Sequence, residues 1–172
     1  MKTDCLKPIF NFVIPGVAST SVMTAFSCLL GRLNNRNYSE PVLLGKILNS
    51  QPAGWLMHYV LGIFWYLVFI ATLKRYPPNH VSFGITVFGA ISGILAVFTW
   101  KYLFKAAGLS KLVNCQGFYG QLFVAHFIFS YSSKSLSNLN AKQQRATGYA
   151  GTKKLNMIPA REYEKQSKLQ DI

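Results

Sequence analysis

Nineteen consecutive residues, Trp55 to Leu73 (WLMHYVLGIFWYLVFIATL), hold no acidic and no permanently basic side chain, and the run stops at Lys74-Arg75. A helix rising about 1.5 Å per residue needs roughly twenty residues to cross about 30 Å of hydrocarbon, so this run has the length a bilayer demands. Inside lipid a backbone must satisfy its own amides, which leaves a helix as the fold for a single apolar span. Three other stretches, 9–30, 81–104 and 112–131, read the same way. The first is too long for the apolar core of a signal peptide. The last reaches span length only when Phe118 to Tyr131 is extended back to Leu112, with Asn114 and Gln116 near the headgroups. The expectation is an all-α polytopic membrane protein: a four-helix transmembrane bundle over 1–132, followed by a basic, polar tail over 133–172.

Composition decides what the charge means. The net charge of +13 suggests nucleic acid in a soluble chain, but 51% hydrophobic and 13% charged content describes a protein with lipid as its solvent. The basic residues flank the spans and fill the tail, where they set orientation and meet anionic headgroups; no nucleic-acid partner is expected. Twelve of the eighteen Lys and Arg fall on the side of the N-terminus, the 74–75 loop and the tail, against six on the other. Both termini are therefore expected in the cytoplasm.

Small residues mark the packing faces. Gly89 and Gly93 form a GxxxG step in the third span. Gly16, Thr20 and Thr24 line up at four-residue spacing in the first. Lipid supplies no hydrophobic drive between helices, so such faces associate through close backbone contact. The spacing predicts that these two spans touch, with self-association through the same faces as the alternative. On the second span Gly54, His58, Gly62 and Tyr66 form one ridge. On the fourth, Leu122, His126 and Ser130 form another, with Gln121 beside them. No Asp or Glu lies within a span. His58 and His126 are the intramembrane groups that could titrate near neutral pH. Counted from Trp55 and Phe118 as level edges, their depths differ by about 8 Å, too far for one small ion and awkward for one haem. Each is expected to hydrogen-bond inside the bundle, a shared ligand site being the alternative. No cofactor and no metal site is expected, since His80 falls in the opposite loop.

The loop Gly31 to Ala53 carries a signal of its own. Ser39 can cap a short helix opened by Glu40 and Pro41, the acid favoured at that end and proline tolerated in the first turn. Val42, Leu43, Leu44, Ile47 and Leu48 give it an apolar face, so it reads as an interfacial helix on the outer surface, with solvated loop packing as the plainer alternative. Cys28 and Cys115 both fall toward that surface, where a disulfide is geometrically open but buried thiols are the simpler reading. Beyond Ser132 low apolar content and mixed charge predict a flexible tail, helical around Arg161 to Gln170.

The segments GVASTSVMTAFSCLLGRL, EPVLLGKIL, GWLMHYVLGIFW, GITVFGAISGILAVFTW and AHFIFSY together resemble a group of small four-span bacterial inner-membrane proteins that have no established activity. The similarity covers about Val13 to Tyr131, and its most specific part is Gly54-Trp55, His58-Tyr59 and Gly62. In that group an acidic residue often follows the methionine of the first span; here Thr24 follows Met23, which weighs against charge-coupled transport. The resemblance implies the four-span fold and an inner-membrane location. From the residues themselves the expected role is non-enzymatic, a bundle binding a lipid, an apolar ligand or a membrane partner. His58, Tyr59, Trp55 and Glu40 would form its outer polar mouth, with His126 and Gln121 deeper. A redox or enzyme subunit using the two histidines and a small oligomeric transporter are the alternatives.

Overall fold

A computed structural model describes residues 6–33, 39–109 and 115–155. The order is α1 (Leu6–Leu33), α2 (Glu40–Ile47), α3 (Gln51–Leu73), a 3-10 turn (Pro78–His80), α4 (Val81–Ala106) and α5 (Cys115–Leu155), with no strand among the described residues. Three helices are long and apolar enough to cross a membrane: α1 over Asn11–Leu33, α3 and α4, with mean hydropathies of 1.6, 1.9 and 2.1. These three are found among the described residues; the fourth expected span, 112–131, begins outside them. α5 has the length, but Gln116, Gln121, His126 and the hydroxyls around them dilute its apolar character. Large apolar side chains such as Leu56, Val60 and Phe64 of α3 and Phe83, Ile91 and Phe98 of α4 are exposed, the inverse of a water-soluble surface.

The chain divides into two compact units, 1–137 and 138–172. The second is described only through residues 138–155, which are helical; Ala141, Lys142, Gln143, Gln144 and Arg145 are all good helix formers. The helix expected around Arg161 to Gln170 lies outside the described residues. All packing below belongs to the first unit.

α3 begins earlier than its apolar run. Ser50 accepts the Ala53 amide at 3.4 Å, and Pro52 sits in the first turn, where its missing N–H costs nothing. Asn49, in the left-handed region at φ 53°, reverses the chain between α2 and α3. α2 forms where the sequence placed it, but Ser39 makes no side-chain cap bond, and Glu40, Pro41, Leu43, Leu44 and Gly45 are buried. The apolar face of α2 is packed against the protein, while Lys46 and Leu48 stay exposed.

Two apolar cores result. One gathers Met23, Tyr66, Phe69, Leu73, Ile85, Phe88, Ala125 and Phe129 near the α3–α4 connection, with Phe69 and Phe88 ring centroids 5.1 Å apart. The other joins Leu43 and Leu44 of α2 to Trp100, Phe104, Phe118 and Leu122, whose rings Trp100, Phe104 and Phe118 meet at 5.2 to 5.3 Å. The expected pairing of the first and third spans is not the one found. Gly16 faces Ile63 and Tyr66 of α3, whereas Gly89 faces Phe127 and Ser130, and Gly93 faces Phe123, all of α5. A stripe of small residues marks where a helix can come close without saying which helix comes.

Candidate functional site

The α1–α3 seam is built from hydroxyls and glycine. Ser19, Thr20, Ser21 and Thr24 each donate to the carbonyl four residues back, at 2.7 to 2.9 Å, which keeps their protons inside α1. Their lone pairs then serve the neighbouring helix. Thr24 Oγ1 lies 2.7 Å from His58 Nε2 and has already given its one proton to the Thr20 carbonyl, which can only accept. His58 Nε2–H is therefore the donor, and its Nδ1 is left as an acceptor. By the same logic Tyr59 donates its hydroxyl to Ser21 at 3.2 Å. Thr24→Val keeps the shape of the seam and strands a buried ring N–H. The variant is expected to lose about 1–2 kcal/mol of stability in detergent, read by thermal unfolding.

At the α2 end a second polar group closes around Ser27. Its hydroxyl donates to Glu40 Oε1 at 2.6 Å, and its carbonyl accepts Gln121 Nε2 at 2.8 Å. Glu40 is only 2% exposed, yet its Oε2 has no protein partner, and neither has Gln121 Oε1. Burial pushes the Glu40 carboxyl above its ordinary value, and the Ser27 hydrogen bond opposes that only in part. On α5, His126 Nδ1 donates to the Leu122 carbonyl at 2.9 Å, so Nε2 is the acceptor of that ring.

Between the two apolar cores lies a cavity of about 310 Å³. Thr20 and Met23 of α1, Glu40 and Leu44 of α2, His58 and Gly62 of α3, Ser92 and Trp100 of α4 and His126 and Phe129 of α5 all reach it. Among the described residues no Lys or Arg lines it. Exposed Leu61 and Phe64 of α3 and exposed Thr99 of α4 also line it, so it opens sideways between those two helices, toward the apolar outer face.

The structure thus brings Glu40, His58 and His126 to one cavity. Trp55 and Tyr59 lie off it, their rings stacked at 6.2 Å, and Gln121 sits behind Glu40, both being held by Ser27. The expected depth difference between the histidines shrinks when α1 is the ruler. His58 meets Thr24, Gln121 meets Ser27, and His126 follows Gln121 by five residues, which leaves the two rings offset by about 3 Å rather than 8 Å. Trp55 and Phe118 are not level, because α3 and α5 enter the bundle at different heights. Cys28 and Cys115, both half-buried, are not joined as a disulfide. Among the described residues no three His, Cys, Asp or Glu side chains converge as a metal site would require.

Sequence reasoning missed Thr20, Ser92, Thr99, Trp65 and Trp100 as cavity wall. Ser92 and Thr99 carry a faint signal as hydroxyls seven residues apart on α4, one face at helical period. The chain matches no family model, no curated protein and no solved structure.

Proposed function

We propose that this is a non-enzymatic, multi-pass membrane protein whose bundle takes a lipid or another amphiphile into the cavity between α3 and α4. The observation that carries this reading is the sideways opening of a partly polar chamber among helices fit to cross a bilayer. A water-soluble ligand has no use for such a mouth, whereas an amphiphile can seat its head and leave its chain in lipid. In this reading α5 is the fourth span despite its lower hydropathy. Gln121, His126 and Ser130 are buried, so its polar positions turn inward where a bundle tolerates them. α2 then closes the outer end, both termini face the cytoplasm of an inner membrane, and the basic residues past Ser132 meet anionic headgroups. The kinship with small four-span proteins through the GW-x-x-HY-x-x-G signature is part of this proposal; its Gly54, His58 and Gly62 share one buried face of α3.

Native mass spectrometry of the intact protein in mild detergent tests this. A co-purifying lipid-sized ligand is expected, and Ala96→Phe, which fills the chamber from α4, is expected to remove it. A variant that retains ligand as well as the parent places the ligand elsewhere and ends this reading. The second reading, a redox subunit ligated by His58 and His126, draws on their shared cavity. It calls for a Soret band or stoichiometric metal in the same sample.

A further inference from the structure

We propose that the cavity receives the primary ammonium group of an amphiphile, with Glu40 as its counter-ion and the ring nitrogens of His58 and His126 among its hydrogen-bond acceptors. This rests on the cavity reading above and adds the chemical class of the head.

The argument is an account of protons. Thr20 spends its hydroxyl proton on the Gly16 carbonyl at 2.8 Å, Ser92 on Gly89 at 3.2 Å and Thr99 on Leu95 at 2.9 Å. His58 spends its N–H on Thr24, and His126 on the Leu122 carbonyl. Glu40 takes the Ser27 proton on one oxygen and has nothing on the other. All six groups belong to the cavity wall; the hydroxyls and the two rings offer it lone pairs alone, and Glu40 does so once its carboxyl is ionised. Among the described residues, the donors left in the wall are the indole N–H groups of Trp65 and Trp100 and, while it is protonated, the carboxyl of Glu40. A carboxylate, phosphate or sulfate head would set lone pairs against lone pairs beside an acid. A primary ammonium instead brings three N–H donors and a positive charge to a wall short of both. Trp65, Trp100, Phe88 and Phe129 add aromatic surface for a cation. The volume, at the low end of the ~300–1,000 Å³ range of ligand pockets, suits a head and its first methylenes, with the chain leaving past Leu61 and Phe64.

Binding is linked to a proton. Burial favours the neutral form of Glu40 as long as no cation is bound. When the ammonium enters, the carboxyl O–H proton passes to water and an N–H of the cation takes its place, so one proton leaves for each cation bound. Among the described residues, the other titratable groups facing this chamber are His58 of α3 and His126 of α5. α1 and α4 contribute only hydroxyls, a thioether, indole and hydrocarbon, and Lys46 and Arg32 are exposed. Affinity should rise by up to about tenfold per pH unit while Glu40 is still protonated in the empty site.

The test uses the full chain in a non-ionic detergent, with tryptophan fluorescence reporting titrations of dodecylamine and of dodecanol. Dodecylamine is expected to bind at least about tenfold more tightly than dodecanol. Glu40→Gln, which keeps the acceptor for Ser27, is expected to lose that preference and most of the pH slope while still binding dodecanol, which shows that it is folded. Equal binding of amine and alcohol, unchanged in Glu40→Gln, overturns the ammonium assignment and leaves the cavity reading standing. Binding of neither overturns both. Native mass spectrometry from bilayer discs of equal phosphatidylethanolamine and phosphatidylglycerol separates the sources. Glu40-dependent retention of phosphatidylethanolamine identifies a phospholipid head, whereas tight dodecylamine binding without that retention identifies a free amine.

Discussion

Gly54→Ala is expected to lower the stability of the bundle by about 3 kcal/mol, even though alanine is the better helix former by about 1 kcal/mol. A methyl group there would meet the backbone of α2: the Gly45 amide nitrogen first, then Gly45 Cα at 2.5 Å and the Pro41 carbonyl oxygen at 2.6 Å. Backbone atoms cannot swing aside, so relief means lifting α2 off α3. That would carry Glu40, Leu43 and Leu44 out of the second core. Overpacking of a close-packed interior typically costs about 1–3 kcal/mol, and a backbone obstacle belongs at the top of that range. The control is Gly120→Ala on α5, where an added methyl meets nothing within 4 Å. That variant should gain up to about 1 kcal/mol from helix propensity. Thermal unfolding of both in one detergent is the measurement. A Gly54→Ala protein that melts with the parent would mean that α2 is not clamped to α3.

The same position shows what the sequence made legible. Recurrence of Gly54, His58, Gly62 and Tyr66 every fourth residue of α3 identified a buried ridge, because a helix leaves only one face for such a period, and all four are buried. The α2 helix was equally legible from Ser39, Glu40 and Pro41. Its destination was not. An acid in the first turn of a short amphipathic helix is ordinary at a surface, but here α2 is packed with Gly45 against Gly54 and Leu43 and Leu44 in the second core, and Glu40 is buried with them. Partner choice was hidden for a related reason. At Gly62 an added methyl would strike Thr20 Oγ1, with Thr20 Cβ at 2.9 Å, so α3 needs a small residue opposite α1. Gly89 and Gly93 serve α5 through the same chemistry, and nothing local in a small-residue stripe distinguishes these partners. The depths of the histidines depended on where α3 and α5 enter. The Ser50 and Pro52 start of α3, four residues before its apolar run, was a signal within reach. The cavity wall on α4 was only faintly legible, since Ser92 and Thr99 in an apolar helix look like hydroxyls satisfied by their own carbonyls, which they are.

Glu40→Gln is expected to make the empty protein more stable than the parent at neutral pH, and no more stable near pH 4.5, the ordinary value of the carboxyl. The sign follows from proton counting. Folding raises the affinity of Glu40 for its proton, so between 4.5 and the raised value the folded state holds a proton that the unfolded state has lost. Stability of the parent therefore falls through that window by up to about 1.4 kcal/mol per pH unit, then levels once the buried carboxylate is ionised. Below the window both states are protonated, and the glutamine, an isostere of the neutral acid, changes little. A Glu40 held by a cation of the protein would give the opposite slope, with the parent gaining stability over the variant as pH rises. His58 and His126 are present in both proteins, so the difference between the two melting profiles isolates Glu40. Saturating dodecylamine should then restore the parent at high pH and leave Glu40→Gln almost unmoved, because the ligand stabilises only the state that binds it. Parent and variant profiles that run parallel from pH 4 to pH 8 would mean the carboxyl is hydrated after all, and with it the end of the chamber where Ser27 and Gln121 meet.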